Sequence, residues 1–191
     1  KFASVHPVVA AAASTKKVKA KDMAKFFNGL PRTQEYEIGF DEHLDPQSGV
    51  DSLIRDFEVL GPAWLSGKAD YLDYVSNCIG KGARAHKNID RHVMILNQVL
   101  LHNEPSPAGI EILDDMRASK LKPNKAHQDR RKPEFANAVE VFCVSLESFG
   151  RSVRVDCIRY LEEKISKWKS MRGLLSFDDL LSLTANAVKS V

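Results

Sequence analysis

The stretch FANAVEVFCVSLESFGRSVRVDCIRYLEEKISKW, Phe135 to Trp168, decides the fold class of this chain. Phe135, Val139, Phe142, Leu146, Phe149, Val153, Cys157, Tyr160, Ile165 and Trp168 recur at steps of mostly four and three. That spacing sets side chains along one face of an α-helix. The phase survives the one internal glycine, Gly150, and no proline interrupts the run before Met171. A single helix of about 37 residues is predicted, with Trp168 in its apolar stripe and so in a core.

Upstream, turn residues divide a series of shorter helical patterns. A helix is expected from Thr15 to Asn28, with Gly29 and Pro31 closing it. Residues Arg32–Leu44 are acidic and irregular, and YEIGF (36–40) could make a short strand. Asp45-Pro46 is an N-cap and first-turn pair, and the helix it opens is expected to stop at Gly61-Pro62. Ser66 then caps a segment that ends at Gly80–Gly82. A helix follows over about Ala83–His102, and Ser106-Pro107 opens another. The basic, proline-containing segment Leu121–Pro133 is expected to be a flexible connector. The fold class is therefore all-α: an irregular multi-helix domain with one long C-terminal helix followed by a short capped helix. Its parts are a helical subdomain at 1–133 and a helical return at 134–191.

The chain's 191 residues carry 43% hydrophobic and 28% charged side chains, an ordinary globular composition. No apolar run approaches the ~18 residues a membrane span needs, and Val8–Ala13 is too short and weak for a signal-peptide core. Cys78, Cys143 and Cys157 form an odd set without CxxC spacing, which suits buried thiols in a reducing compartment. Charge is uneven. Glu35–Asp73 holds ten acids against Arg55 and Lys68, whereas Lys120–Lys132 holds six bases against Asp129. Lys16, Lys17, Lys19, Lys21 and Lys25 form a second basic stretch. A polyanion-binding surface is one reading of this asymmetry, and a solvated face is the plainer one.

Catalytic signatures are missing. There is no GxxxxGK[ST], and Gly80-Lys81-Gly82 lacks both the spacing and the following hydroxyl. His6, His43, His86, His92, His102 and His127 make no HExxH or Cys/His zinc pattern, and four of them stand beside a basic residue or a helix end, which suits solvated positions. Asp114-Asp115 reads as a solvated polar face. Trp64 and Trp168 could stack on bases, but Trp168 belongs to the apolar stripe.

The remaining acid pair lies in RGLLSFDDLLSLTANAV, Arg172–Val188. Gly173 is the expected stop of the long helix. Ser176 is an N-cap, with Asp179 three residues on in a capping arrangement, and Leu175 and Leu180 form a hydrophobic staple. Asp178 in the first turn suits the helix dipole. Capping thus explains both carboxylates, against a rival reading of Asp178 and Asp179 as a hydrolase pair.

As a sequence, EEKISKWKSMRGLLSFDDLLSLTANAV, Glu162–Val188, resembles the superfamily 1 helicases of the UvrD/RecB type, and the RecB version most closely. In that family the phrase stands where a helical insertion, often called domain 1B, returns to the first motor domain. The resemblance covers about 27 residues; Lys1–Lys132 carries no part of it. It implies a cytoplasmic bacterial helicase–nuclease of the exodeoxyribonuclease V kind, acting in double-strand break repair and recombination. The P-loop would precede this chain and the Walker B acids would follow it. It therefore implies no catalytic residue, metal site or cofactor in these 191 residues, with ATP and magnesium belonging to the parent protein.

On that resemblance the expected partners are duplex DNA, held non-specifically through its phosphates, the motor domains of the parent chain, and a RecC-like subunit. No membrane contact is expected. The candidate phosphate ligands are Lys120, Lys122, Lys125, Arg130, Arg131 and Lys132, then Lys16 and Lys17. The alternative is a helical protein-interaction module without DNA contact.

Overall fold

In the computed structural model the described residues form five α-helices: α1 (Pro7–Thr15), α2 (Pro46–Cys78), α3 (Ile89–Leu96), α4 (Pro107–Met116) and α5 (Glu134–Arg172). The structure describes residues 6–16, 46–80 and 88–173, apart from the side chains at 46, 161, 162, 165, 166, 169 and 170. Among these there is no strand; an isolated antiparallel bridge joins Ile79 to Pro123. The chain is all-α. The expected strand at 36–40, the helix from residue 17 to Asn28, Lys17, and the cap residues Ser176 and Asp179 lie outside the described residues.

The chain divides into two compact units, Lys1–Val153 and Arg154–Val191. The boundary between these units falls inside α5, whose first turns supply core side chains to the first unit. In that unit α2 and α5 run antiparallel. Phe57 meets Phe142 at 5.7 Å between ring centroids, and Trp64 meets Phe135 at 4.8 Å, so numbers rise along one helix as they fall along the other. Tyr71 closes the aromatic group edge-on to Phe135, at 5.6 Å. Trp64, Tyr71, Phe135 and Phe142 are fully buried, which removes Trp64 as a base-stacking candidate. Its indole Nε1–H donates to Asn97 Oδ1 at 3.0 Å, so burying the ring leaves no orphan donor.

Gly61-Pro62 does not end a helix. Pro62 sits inside the 33-residue α2, where the missing N–H and the ring clash cost about 3 kcal/mol. The apolar stripe accounts for its survival. Leu53, Phe57 and Leu60 precede the proline, Trp64, Tyr71 and Tyr74 follow it, and all are buried on one side. Each such side chain contributes roughly 1.5–3 kcal/mol on burial, so keeping both halves in register outweighs the break.

Thr15, expected to open a helix, closes one. In α1, Pro7 occupies the first turn, the His6 ring accepts from Val8 N–H, and the small Val8, Ala11 and Ala12 are buried. This helix packs on α2 and α4. Helix α3 begins at Ile89, after Asn88, whose side chain makes no capping bond, and widens into a π-helical turn at Asn97–Leu101. Helix α4 opens as expected: Ser106 is extended, and its Oγ accepts from Gly109 N–H at 3.1 Å. A Cβ on Gly109 would overlap Val99 Cγ2, so that position requires glycine.

Helix α5 is 39 residues long, and Gly150 passes through it buried. Gly173 follows with φ of +61°, the left-handed stop read from the sequence.

Candidate nucleic-acid interface

The basic segment expected to be a flexible loop is a strap fastened along its length. At its start, Arg117 pairs with Glu147 at 2.9 Å, and Ser119 N–H donates to Glu140 at 2.7 Å. Ala118 N–H donates to the Ala136 carbonyl at 3.1 Å. Midway, Asn124 N–H donates to the Cys78 carbonyl at 2.7 Å, beside the Ile79–Pro123 bridge. A 3-10 turn at Lys125–His127 follows. At its end, Arg130 bonds Asp73 and donates to Cys78 Sγ, with its guanidinium 5.9 Å from the Tyr74 ring centre. Leu121 is buried beneath. These contacts bind the C-terminal end of α2 to the first turns of α5. Proline and asparagine disfavour a helix over this segment, and backbone bonds to its neighbours fix its path.

The six candidate cations of the strap therefore differ in what they can offer. Lys120 pairs with Asp114 and Asp115, and Arg130 with Asp73. Lys132 donates to the Ala118 carbonyl. Arg131 reaches Glu134 at 3.2 Å, but both side chains are 82% exposed, so that pair is weakly held and exchangeable. Lys122 and Lys125 are exposed and have no partner among the described residues. The Arg130 hydrogen bond holds the Asp73 carboxyl below its ordinary range.

Lys16 and Lys120 come from the two basic stretches and line one open cleft of about 490 Å³. Arg91 also lines it, opposed by Glu111, Asp114 and Asp115, so its charge is mixed rather than basic. The Asp114-Asp115 pair, expected on a solvated face, is half-buried and salt-bridged there. His92 corrects the expectation of solvated histidines. It is 7% exposed, its Nδ1 has no hydrogen-bond partner, and burial lowers its pKa against the opposing pull of Asp115. The histidine is on the apolar side of α3, one turn before Leu96, which is the signal that could have placed it inside.

Cys78 and Cys143 are buried free thiols as expected, and Cys157 is half-buried. Burial pushes the Cys143 thiol up to about 12, so it is unsuited to nucleophilic work. Among the described residues no group of three or more His, Cys, Asp and Glu is placed to hold a metal ion, and no helix is long and apolar enough to cross a membrane.

The second unit holds residues that periodicity misplaced. Trp168 is 51% exposed rather than in a core, and Tyr160 and Met171 are exposed as well. Lys164 Nζ lies 5.2 Å from the Tyr160 ring centre, and the Arg172 guanidinium 5.0 Å from that of Trp168. The stripe of the first unit thus continues in phase, but cations enter its positions at Lys164 and Lys167. That change of residue type is the signal that distinguishes an exposed face from a core face.

The fold and surface define a class: an all-α chain whose cations are divided between a fastened strap and a helical face. No family model matches the chain, and no curated protein or solved structure does so either.

Proposed function

We propose that this chain is a non-enzymatic accessory domain of a RecB-like DNA helicase–nuclease and guides duplex DNA through phosphate contacts. The observation that carries the reading is the end of α5. The helix runs unbroken to Arg172 and stops at a left-handed Gly173, directly before the LLSFDDLLSL phrase on which the resemblance rests. A RecC-like partner, the motor domains of a parent chain, and that parent's ATP and magnesium belong to the same proposal, as does a cytoplasmic bacterial setting.

Phosphate binding without base reading needs exposed, unpaired cations on a held backbone. Among the described residues Lys122 and Lys125 meet that requirement, with Arg131 released easily from Glu134. Fluorescence anisotropy with a labelled duplex should show binding at ~50 mM salt that falls steeply by ~200 mM. Lys122→Ala/Lys125→Ala should weaken it and flatten the salt dependence. Absence of binding at the lower salt would overturn the proposal. It would favour a protein-interaction module, for which Val141 and Val144, exposed on α5, offer an apolar contact.

A further inference from the structure

We propose that the exposed face of α5 in the second unit binds single-stranded nucleic acid, with Trp168 stacking on a base and Lys164, Lys167 and Arg172 meeting phosphates. The inference goes beyond the duplex-guiding reading and does not depend on it.

Residues 160, 164, 168 and 172 succeed one another at steps of four, and 167 and 171 fill the same side. Large side chains on a solvated helix face are expected to be polar, yet Trp168 is 51% exposed and Met171 78% exposed. A shallow groove of about 400 Å³ runs between Lys164, Lys167, Trp168 and Met171. Each exposed ring has a cation over it, yet Tyr160 and Trp168 keep about half their surface exposed, so open ring surface and positive charge lie within a few ångströms of each other.

This pairing of aromatic and cationic groups selects the occupant. An acidic peptide would use the cations but has no flat surface to lay on the indole. In a duplex the base faces are covered by their neighbours, so an exposed tryptophan reaches only the backbone. Single strands present both a base face and a phosphate, which is how sequence-tolerant sites hold them. Lys164 and Arg172 are eight residues apart, about 12 Å along the axis, roughly three or four stacked nucleotides at about 3.4 Å each.

The test uses the full chain and a dT12 oligonucleotide at ~50 mM salt, followed by anisotropy and by tryptophan emission. Trp64 is buried and bonded to Asn97, so quenching on binding reports Trp168, and Trp168→Phe should abolish the quench while keeping affinity within a few fold. Trp168→Ala should weaken dT12 binding about 10-fold, the loss of one stacked base. Lys164→Ala/Lys167→Ala should weaken it in a salt-dependent manner. Failure of dT12 to bind overturns the proposal, as does binding without a quench or unaffected by Trp168→Ala. Equal binding of polyglutamate also overturns it, in favour of simple charge attraction. A duplex that binds when dT12 does not removes this inference alone; dT12 binding with no duplex binding removes the duplex-guiding reading alone.

Discussion

Arg130 reaches back across 57 residues to bond Asp73, tying the far end of the basic strap to the last turns of α2. One of the six cations that the sequence offers for a phosphate role thus has a structural task. Arg130→Ala should raise the Asp73 pKa toward an ordinary aspartate value, because the lost hydrogen bond is the main cause of its depression. Carboxyl chemical shifts followed through an acid titration would measure this. Limited proteolysis should also cut the 121–131 segment faster in the variant, and an unchanged cleavage rate would show that the strap is held without Arg130.

Core and surface aromatics should separate by stability. Phe135 touches Trp64 and Tyr71, and Phe135→Ala should cost about 3–5 kcal/mol in urea unfolding. Trp168→Ala should stay within about 0.5 kcal/mol of the parent. Comparable losses in both would place Trp168 in a core after all.

Gly109→Ala should destabilise by about 1–3 kcal/mol although alanine is the better helix former, because its methyl collides with Val99. Pairing it with Val99→Ala should recover part of the loss beyond additivity, as a double-mutant cycle in denaturant would reveal.

His92 makes stability depend on pH. Burial lowers its folded pKa below the ordinary 6.5, so the unfolded chain binds the proton more readily. The contribution is complete above that unfolded value and is lost as pH falls from there through the lower folded one. Urea midpoints between pH 8 and pH 5 should decline for the parent chain and be flatter for His92→Leu.

Thiol reactivity should rank by environment. With iodoacetamide at pH 8, mass spectrometry should find Cys157 modified first. Cys143, held at about 12 by burial, should label only after denaturant is added. Early labelling of Cys143 would mean that the first unit opens locally at α5.

Three features of the fold were legible because short-range chemistry sets them. The four-and-three stripe predicted α5 to within a residue or two of Glu134–Arg172. Ser106-Pro107 marked the start of α4, and Gly173 the left-handed stop. Each depends on groups no more than four residues apart. The continuation of α2 through Gly61-Pro62 was not legible. Local propensity breaks the helix there, and the burial that keeps it intact comes from α5, some seventy or more residues away.

The candidate site divides along the same line. From the amino-acid sequence alone come the all-α class, the long helix and its end, and the places where cations concentrate. Tertiary structure alone decided which of those cations are free. Among the described residues, Arg130, Lys120 and Lys132 are occupied by Asp73, by Asp114 and Asp115, and by the Ala118 carbonyl, whereas Lys122 and Lys125 have no partner. It also decided that His92 is buried and Trp168 exposed. Periodicity ranks the sides of a helix, but burial depends on whether another element covers the ranked side. Ion pairs likewise depend on partners that chain folding brings near, and no spacing along the chain reports them.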